Sequence, residues 1–89
     1  MDRPEAEILA LQALSWAAGL DGTLQQFSAH TGIEIADLRQ QAGNPELLAA
    51  FLDFVLADDS LTKAFCEEAA LDSQRLHRAR HALPGGGIE

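Results

Sequence analysis

A short roster of side chains has to supply any chemistry this sequence performs. His77 and His81 stand four apart, a spacing that turns two imidazoles toward one side of a helix and could chelate a transition metal. A metal site needs at least a third ligand, and Arg78 and Arg80 beside them add positive charge where a cation would sit. Plain surface histidines are therefore expected. Cys66 lies in KAFCEEAA, next to Glu67 and Glu68, whose carboxylates disfavour the thiolate that nucleophilic chemistry requires. It reads as a small core filler or a semi-exposed spectator. Asp58-Asp59-Ser60 lacks the regular oxygen spacing of a calcium loop and reads as a helix cap. There is no Gly-rich phosphate loop, no nucleophile elbow and no convergent acid–base pair, and Gly85–Gly87 follow a helix instead of opening one. The expectation is a non-enzyme, with no catalytic, cofactor-binding or metal-ligating residue and no cofactor.

Two segments could serve recognition instead. Residues 24–42 (LQQFSAHTGIEIADLRQQA) place Phe27, Gly32, Ile33 and Leu38 where a helix-turn-helix wants its core and turn residues. The would-be recognition helix presents Glu34, Asp37, Arg39, Gln40 and Gln41, and two carboxylates beside one arginine suit phosphates poorly. The same geometry can serve packing alone. In the last helix, Arg75, Arg78 and Arg80 with His77 and His81 form a candidate partner-docking face opposite Leu76, Ala79 and Leu83. Cations near a helix C-terminus also complement its dipole and can pair with an acidic body, which is the favoured reading. Docking of an acidic partner or RNA is the other.

Charge sharpens that contrast. Six Lys/Arg against 14 Asp/Glu give a net charge of −8, which repels nucleic acid and anionic membranes from the body of the chain. The acidity is uneven: residues 1–72 carry 3 basic against 13 acidic residues, whereas 73–89 carry 3 against 1. The run Ile8–Leu20 has the length of a secretory h-region. Its flank is acidic where a signal peptide is basic, and it is too short to span a bilayer. With a single cysteine excluding any internal disulfide, a cytoplasmic location is expected.

The elements that must position these residues are all helical. The chain holds 16 Ala and 14 Leu, both strong helix formers, while Val, Ile and Thr together number eight and Tyr is absent. Caps predict the boundaries. Asp2 with Glu5 forms a capping box for a first helix reaching about Ala18, with Gly19 and Gly22 bracketing the turn. A second helix spans about 23–30 and stops at a left-handed Gly32; a third spans about 34–42. Asn44-Pro45 starts a fourth that ends near Ala57, Asp58 or Asp59 a fifth over about 60–70, and Asp72 a sixth over about 73–83. The first and fourth are apolar nearly all round and should form the centre, with the other four wrapped about them. The expected architecture is an all-α compact bundle of five to six short helices in one domain over 1–83, with a flexible Gly-rich tail over 84–89.

A 38-residue offset aligns Leu9, Leu14, Asp21, Phe27 and Leu38 with Leu47, Leu52, Asp59, Phe65 and Leu76. Trp16 falls on Phe54, Ile33 on Leu71 and Glu34 on Asp72, and caps and helix ends share the frame. Two pseudo-repeated three-helix units, 5–42 and 43–80, account for this. Shared helical periodicity is the competing account.

The stretch AGNPELLAAFLDFVLADD at 42–59, with A-L-x-A-L at 10–14, F-x-x-x-T-G-I at 27–33 and D-L-R at 37–39, resembles a small bacterial domain-of-unknown-function family, number 3572. The likeness covers most of the chain. It implies a small helical cytoplasmic bacterial protein and carries over no site residue.

The functional expectation is a protein–protein interaction module that self-associates as a homodimer. Its motive is surplus apolar helix in a domain too small to cover it. Trp16 is a candidate anchor, although core packing is the safer place for it. The alternative is a nucleic-acid-associated regulator using the helix-turn-helix-like segment or the basic last helix.

Overall fold

Four of the six helices begin on the side chain that the sequence offers for the purpose. The computed structural model describes residues 1–20 and 22–83, and of Arg39 the backbone alone. Within these residues the elements are α1 (Arg3–Ala18), α2 (Thr23–Thr31), α3 (Ile35–Gln40), α4 (Pro45–Leu56), α5 (Asp59–Ala69) and α6 (Ser73–Ala82). Asp2 accepts from the Glu5 amide at 3.1 Å, Asn44 from Glu46 at 3.0 Å, Asp58 from Leu61 at 3.1 Å and Asp72 from Gln74 at 2.8 Å. Each satisfies one amide that the first helical turn leaves without a carbonyl. Asp21 and the tail over 84–89 lie outside the described residues, and so do the pairing of Asp21 with Asp59 and the expected flexibility of the tail.

The third helix is shorter than the cap pattern predicts, ending at Gln40. Asn44 must be extended (φ −80°, ψ 116°) to cap α4, and Pro45 disfavours a helical residue before it. The chain therefore leaves α3 early and turns through residues 41–43, closed by the Asn44 amide on the Gln41 carbonyl at 2.8 Å.

The core is built by α4. Leu47, Leu48, Ala49, Phe51, Leu52 and Val55 are all buried, and α4 packs against α1, α5 and α6. Phe27 of α2 meets Phe51 edge-on with ring centroids 5.1 Å apart and Phe54 at 5.3 Å. Phe65, Leu38 and Leu76 close the remaining sides. The radius of gyration is 11.9 Å, close to the roughly 12 Å expected of a well-packed chain of this length.

The first helix is not enclosed as its composition suggests. Its buried face is mostly alanine: Ala6, Ala10, Ala13 and Ala17 have no exposed surface and repeat every three or four residues, with Leu9 and Leu14 beside them. Side chains this small let the backbones of α4 and α6 come close. Its opposite side, including Ile8 and Leu11, stays in solvent.

Some helix boundaries fall on the 38-residue offset, while the starts of α1 and α4, the starts of α2 and α5 and the ends of α3 and α6 do not. The last residues of α1 and α2, Ala18 and Thr31, correspond to Leu56 and Ala69 at the ends of α4 and α5, and α3 and α6 both start in register. Gly32 (φ 80°) corresponds to Ala70 (φ 55°), so the second and fifth helices both end in the left-handed region. Leu9, Ala10, Ala13, Leu14, Ala17, Phe27 and Leu38 are buried, and so are Leu47, Leu48, Phe51, Leu52, Val55, Phe65 and Leu76. The halves differ in their third helices: α6 packs on both α1 and α4, whereas α3 lies chiefly against α2.

Candidate interaction surface

Of the cations on α6, two of the three arginines are spent on the body of the protein. Arg75 reaches Glu5 of α1 at 2.6 Å, and Arg80 reaches Asp53 of α4 at 2.6 Å with only 11 % of its side chain exposed. Glu5 therefore does not complete the capping box by reaching back; its carboxylate ties the first helix to the sixth. Arg78, His77 and His81 are exposed on the outer side of α6. The five candidate docking residues thus divide: Arg75 and Arg80 stitch helices together, and the outward face keeps one arginine and two histidines. Among the described residues no three His, Cys, Asp or Glu side chains gather as a metal site would require.

The helix-turn-helix-like segment is held by its own short bonds. The Ser28 hydroxyl donates to the Ile33 carbonyl at 2.5 Å, the Thr31 hydroxyl to the Phe27 carbonyl at 2.9 Å, and the Ile33 amide to the Thr31 hydroxyl at 3.2 Å. These fix the turn around Gly32. The second helix of the pair, α3, has six residues, or about 9 Å of length, a short rod to lay in a major groove. Asp37 stands exposed on it and Glu34 just before it.

Cys66 is half-buried, and burial pushes its thiol above the ordinary value, with the Asp72 carboxylate adding to the shift. The direction is the one its neighbours in sequence suggest. The cause differs, because packing and the cap of α6 act on the thiol, not Glu67 and Glu68. Trp16 is half-buried, with its ring 5.3 Å from that of Phe65. That contact uses it to join α1 to α5.

The unexpected surface lies on α1. Among the described residues the exposed large hydrophobics are Met1 (39 %), Ile8 (59 %), Leu11 (37 %) and Leu20 (37 %), all within the first 20 residues. Ile8 and Leu11 fall on one stripe with Pro4, Ser15 and Ala18, all exposed and none charged. Beside it runs an open groove of about 550 Å³ whose lining mixes Ile8, Leu9 and Leu71 with Glu5, Gln12 and Arg75. Composition pointed to surplus apolar helix but could not say which side of α1 would stay bare. The three- and four-residue spacing of Ile8, Leu11, Ser15 and Ala18, free of charge, was the available signal.

No described helix is long and apolar enough to cross a membrane. A family model described as "Protein of unknown function (DUF3572)" matches residues 3–86. No curated protein and no solved structure matches the chain.

Proposed function

The chain belongs to the DUF3572 family of unknown function, and from its surface we propose that it is a non-enzymatic protein–protein interaction module that docks through the exposed side of α1. One observation carries the reading. The exposed large hydrophobics of the described residues are gathered on a single segment, where scattered single residues would need no explanation. Ile8 is the most exposed of them and makes the natural anchor. Among the described residues, Arg3, Arg75 and Arg80 are paired with carboxylates of the fold, and the grooves beside them are open.

The basic sixth helix supports a nucleic-acid reading less well, since Arg75 and Arg80 are engaged by Glu5 and Asp53. Immobilised wild-type chain and an Ile8→Asp variant, exposed to extract of the source cell and compared by mass spectrometry, test the proposal. Proteins held by the wild type should be lost from the variant. Identical protein sets on both would refute docking through α1.

A further inference from the structure

Resting on the interaction-module reading, we propose that the occupant of the α1 face is a second copy of this chain, paired antiparallel through α1 as a weak, reversible two-fold dimer. The stripe is complementary to itself. Ile8, Leu11, Ser15 and Ala18 step by three, four and three residues, a sequence that reads the same in both directions. A two-fold axis at the level of Ala13 places Ile8 against Ala18 of the second copy and Leu11 against Ser15 of the second copy. Each large side chain then meets a small one, and the contact occurs twice, as a two-fold interface requires. The three–four spacing is also the seam spacing of paired helices.

Charge selects the same arrangement. A chain of net charge −8 repels its own copy, so the contact must avoid the acidic surface, and this stripe carries no charge. The acidic residues of α1, Glu5 and Glu7, lie at its N-terminal end. In the antiparallel pair the two Glu7 residues are offset along the helices by about 18 Å and the two Glu5 residues by about 24 Å. Both exceed the screening length of about 8 Å at physiological salt. A parallel pair would bring the same four carboxylates side by side.

The internal 38-residue frame shows why this face is bare. Leu11 corresponds to Ala49 of α4, which is 2 % exposed where Leu11 is 37 %. Ser15 corresponds to Asp53, which α6 engages through Arg80. The first half cannot supply the matching cover, because α3 stops at Gln40 and the chain turns into α4. The second copy would place a helix there instead.

Size sets the strength. With 16 residues, α1 is about 24 Å long and about 10 Å wide, a footprint of roughly 240 Å². That is about a third of the roughly 800 Å² per partner in a standard stable interface. An interface this small pairs weakly and reversibly, well short of a permanent dimer.

Sedimentation velocity from about 10 µM to about 1 mM reads the association directly. The wild type should pass from monomer to dimer, and more salt should tighten the pairing by screening the mutual repulsion. Ile8→Asp and Ala18→Glu, both at exposed positions and checked for helix content by circular dichroism, should each weaken it by more than about tenfold. In a Cys66→Ser background, Ile8→Cys with Ala18→Cys should cross-link on oxidation, while Ile8→Cys alone should not. A wild type monomeric throughout, a dimer indifferent to both charged variants, or cross-linking by Ile8→Cys alone would each overturn the proposal. A monomeric wild type that still loses its extract partners on Ile8→Asp would overturn self-pairing and leave the interaction module standing.

Discussion

Ala70 should gain stability from becoming glycine, although glycine usually weakens the interior of a helix. Its backbone sits at φ 55° and ψ 46°, the only positive φ of a non-glycine among the described residues. An L side chain there crowds the carbonyl and costs about 1–2 kcal/mol relative to glycine. The looser unfolded chain of a glycine variant gives back about 0.4–1 kcal/mol of that. Ala70 is exposed, so little packing is lost. A net gain of about 0.5–1 kcal/mol remains for Ala70→Gly, or roughly 2–8 °C in melting temperature for a domain of this size. The reciprocal change provides the control. Gly32, at φ 80°, has open space where a β-methyl would point, so Gly32→Ala carries backbone strain with no clash. It should lower the melting temperature by a similar amount. Thermal melts followed by circular dichroism measure both. Ala70→Gly leaving the melting temperature unchanged or lower would refute the argument that backbone strain, and not packing, dominates this turn.

Four further outcomes follow from the core, the ion pairs and the thiol. Phe27→Ala, at a fully buried ring meeting Phe51 and Phe54, should cost about 3–5 kcal/mol and shift the urea midpoint correspondingly. Asp53→Asn weakens the partner of a largely buried guanidinium and should cost about 1–2 kcal/mol in chemical denaturation. Glu5→Gln, in an exposed pair with Arg75, should cost less than about 1 kcal/mol, and high salt should erase the difference. Because its thiol titrates above the ordinary range, Cys66 carries less thiolate than free cysteine at the same mildly alkaline pH. It should react more slowly with a disulfide reagent, and Asp72→Asn should partly restore the rate.

What the sequence made legible was local. Asp2, Asn44, Asp58 and Asp72 cap helices because each acts on an amide two or three residues away, and Gly32 ends α2 for a reason internal to its own backbone. Phe27, Leu38 and Leu76, whose inward positions follow from helical spacing, are likewise buried. Glu5 was different. Its local role in a capping box was plausible, yet its carboxylate went to Arg75, 70 residues along, because packing α6 against α1 brings them within reach. The bare side of α1 was hidden for a related reason. A helix apolar all round gives no directional signal, and which side is covered depends on where α4 and α6 settle. The length of α3 was likewise decided by the start of its neighbour.

The alanine face of α1 bears on how this chain can change over generations. Ala6, Ala10, Ala13 and Ala17 sit where any longer side chain would press on neighbouring helices. Single-base changes from an alanine codon lead to residues that are bulkier, charged, hydroxylated or helix-breaking, so nearly every first step there is costly. Ile8, Leu11, Ser15 and Ala18, on the opposite side of the same helix, can be exchanged without disturbing the fold. A single helix thus joins a row with almost no substitutional freedom to a row with a great deal. Divergence in what this protein touches can then accumulate on α1 itself, while the architecture that presents it stays fixed.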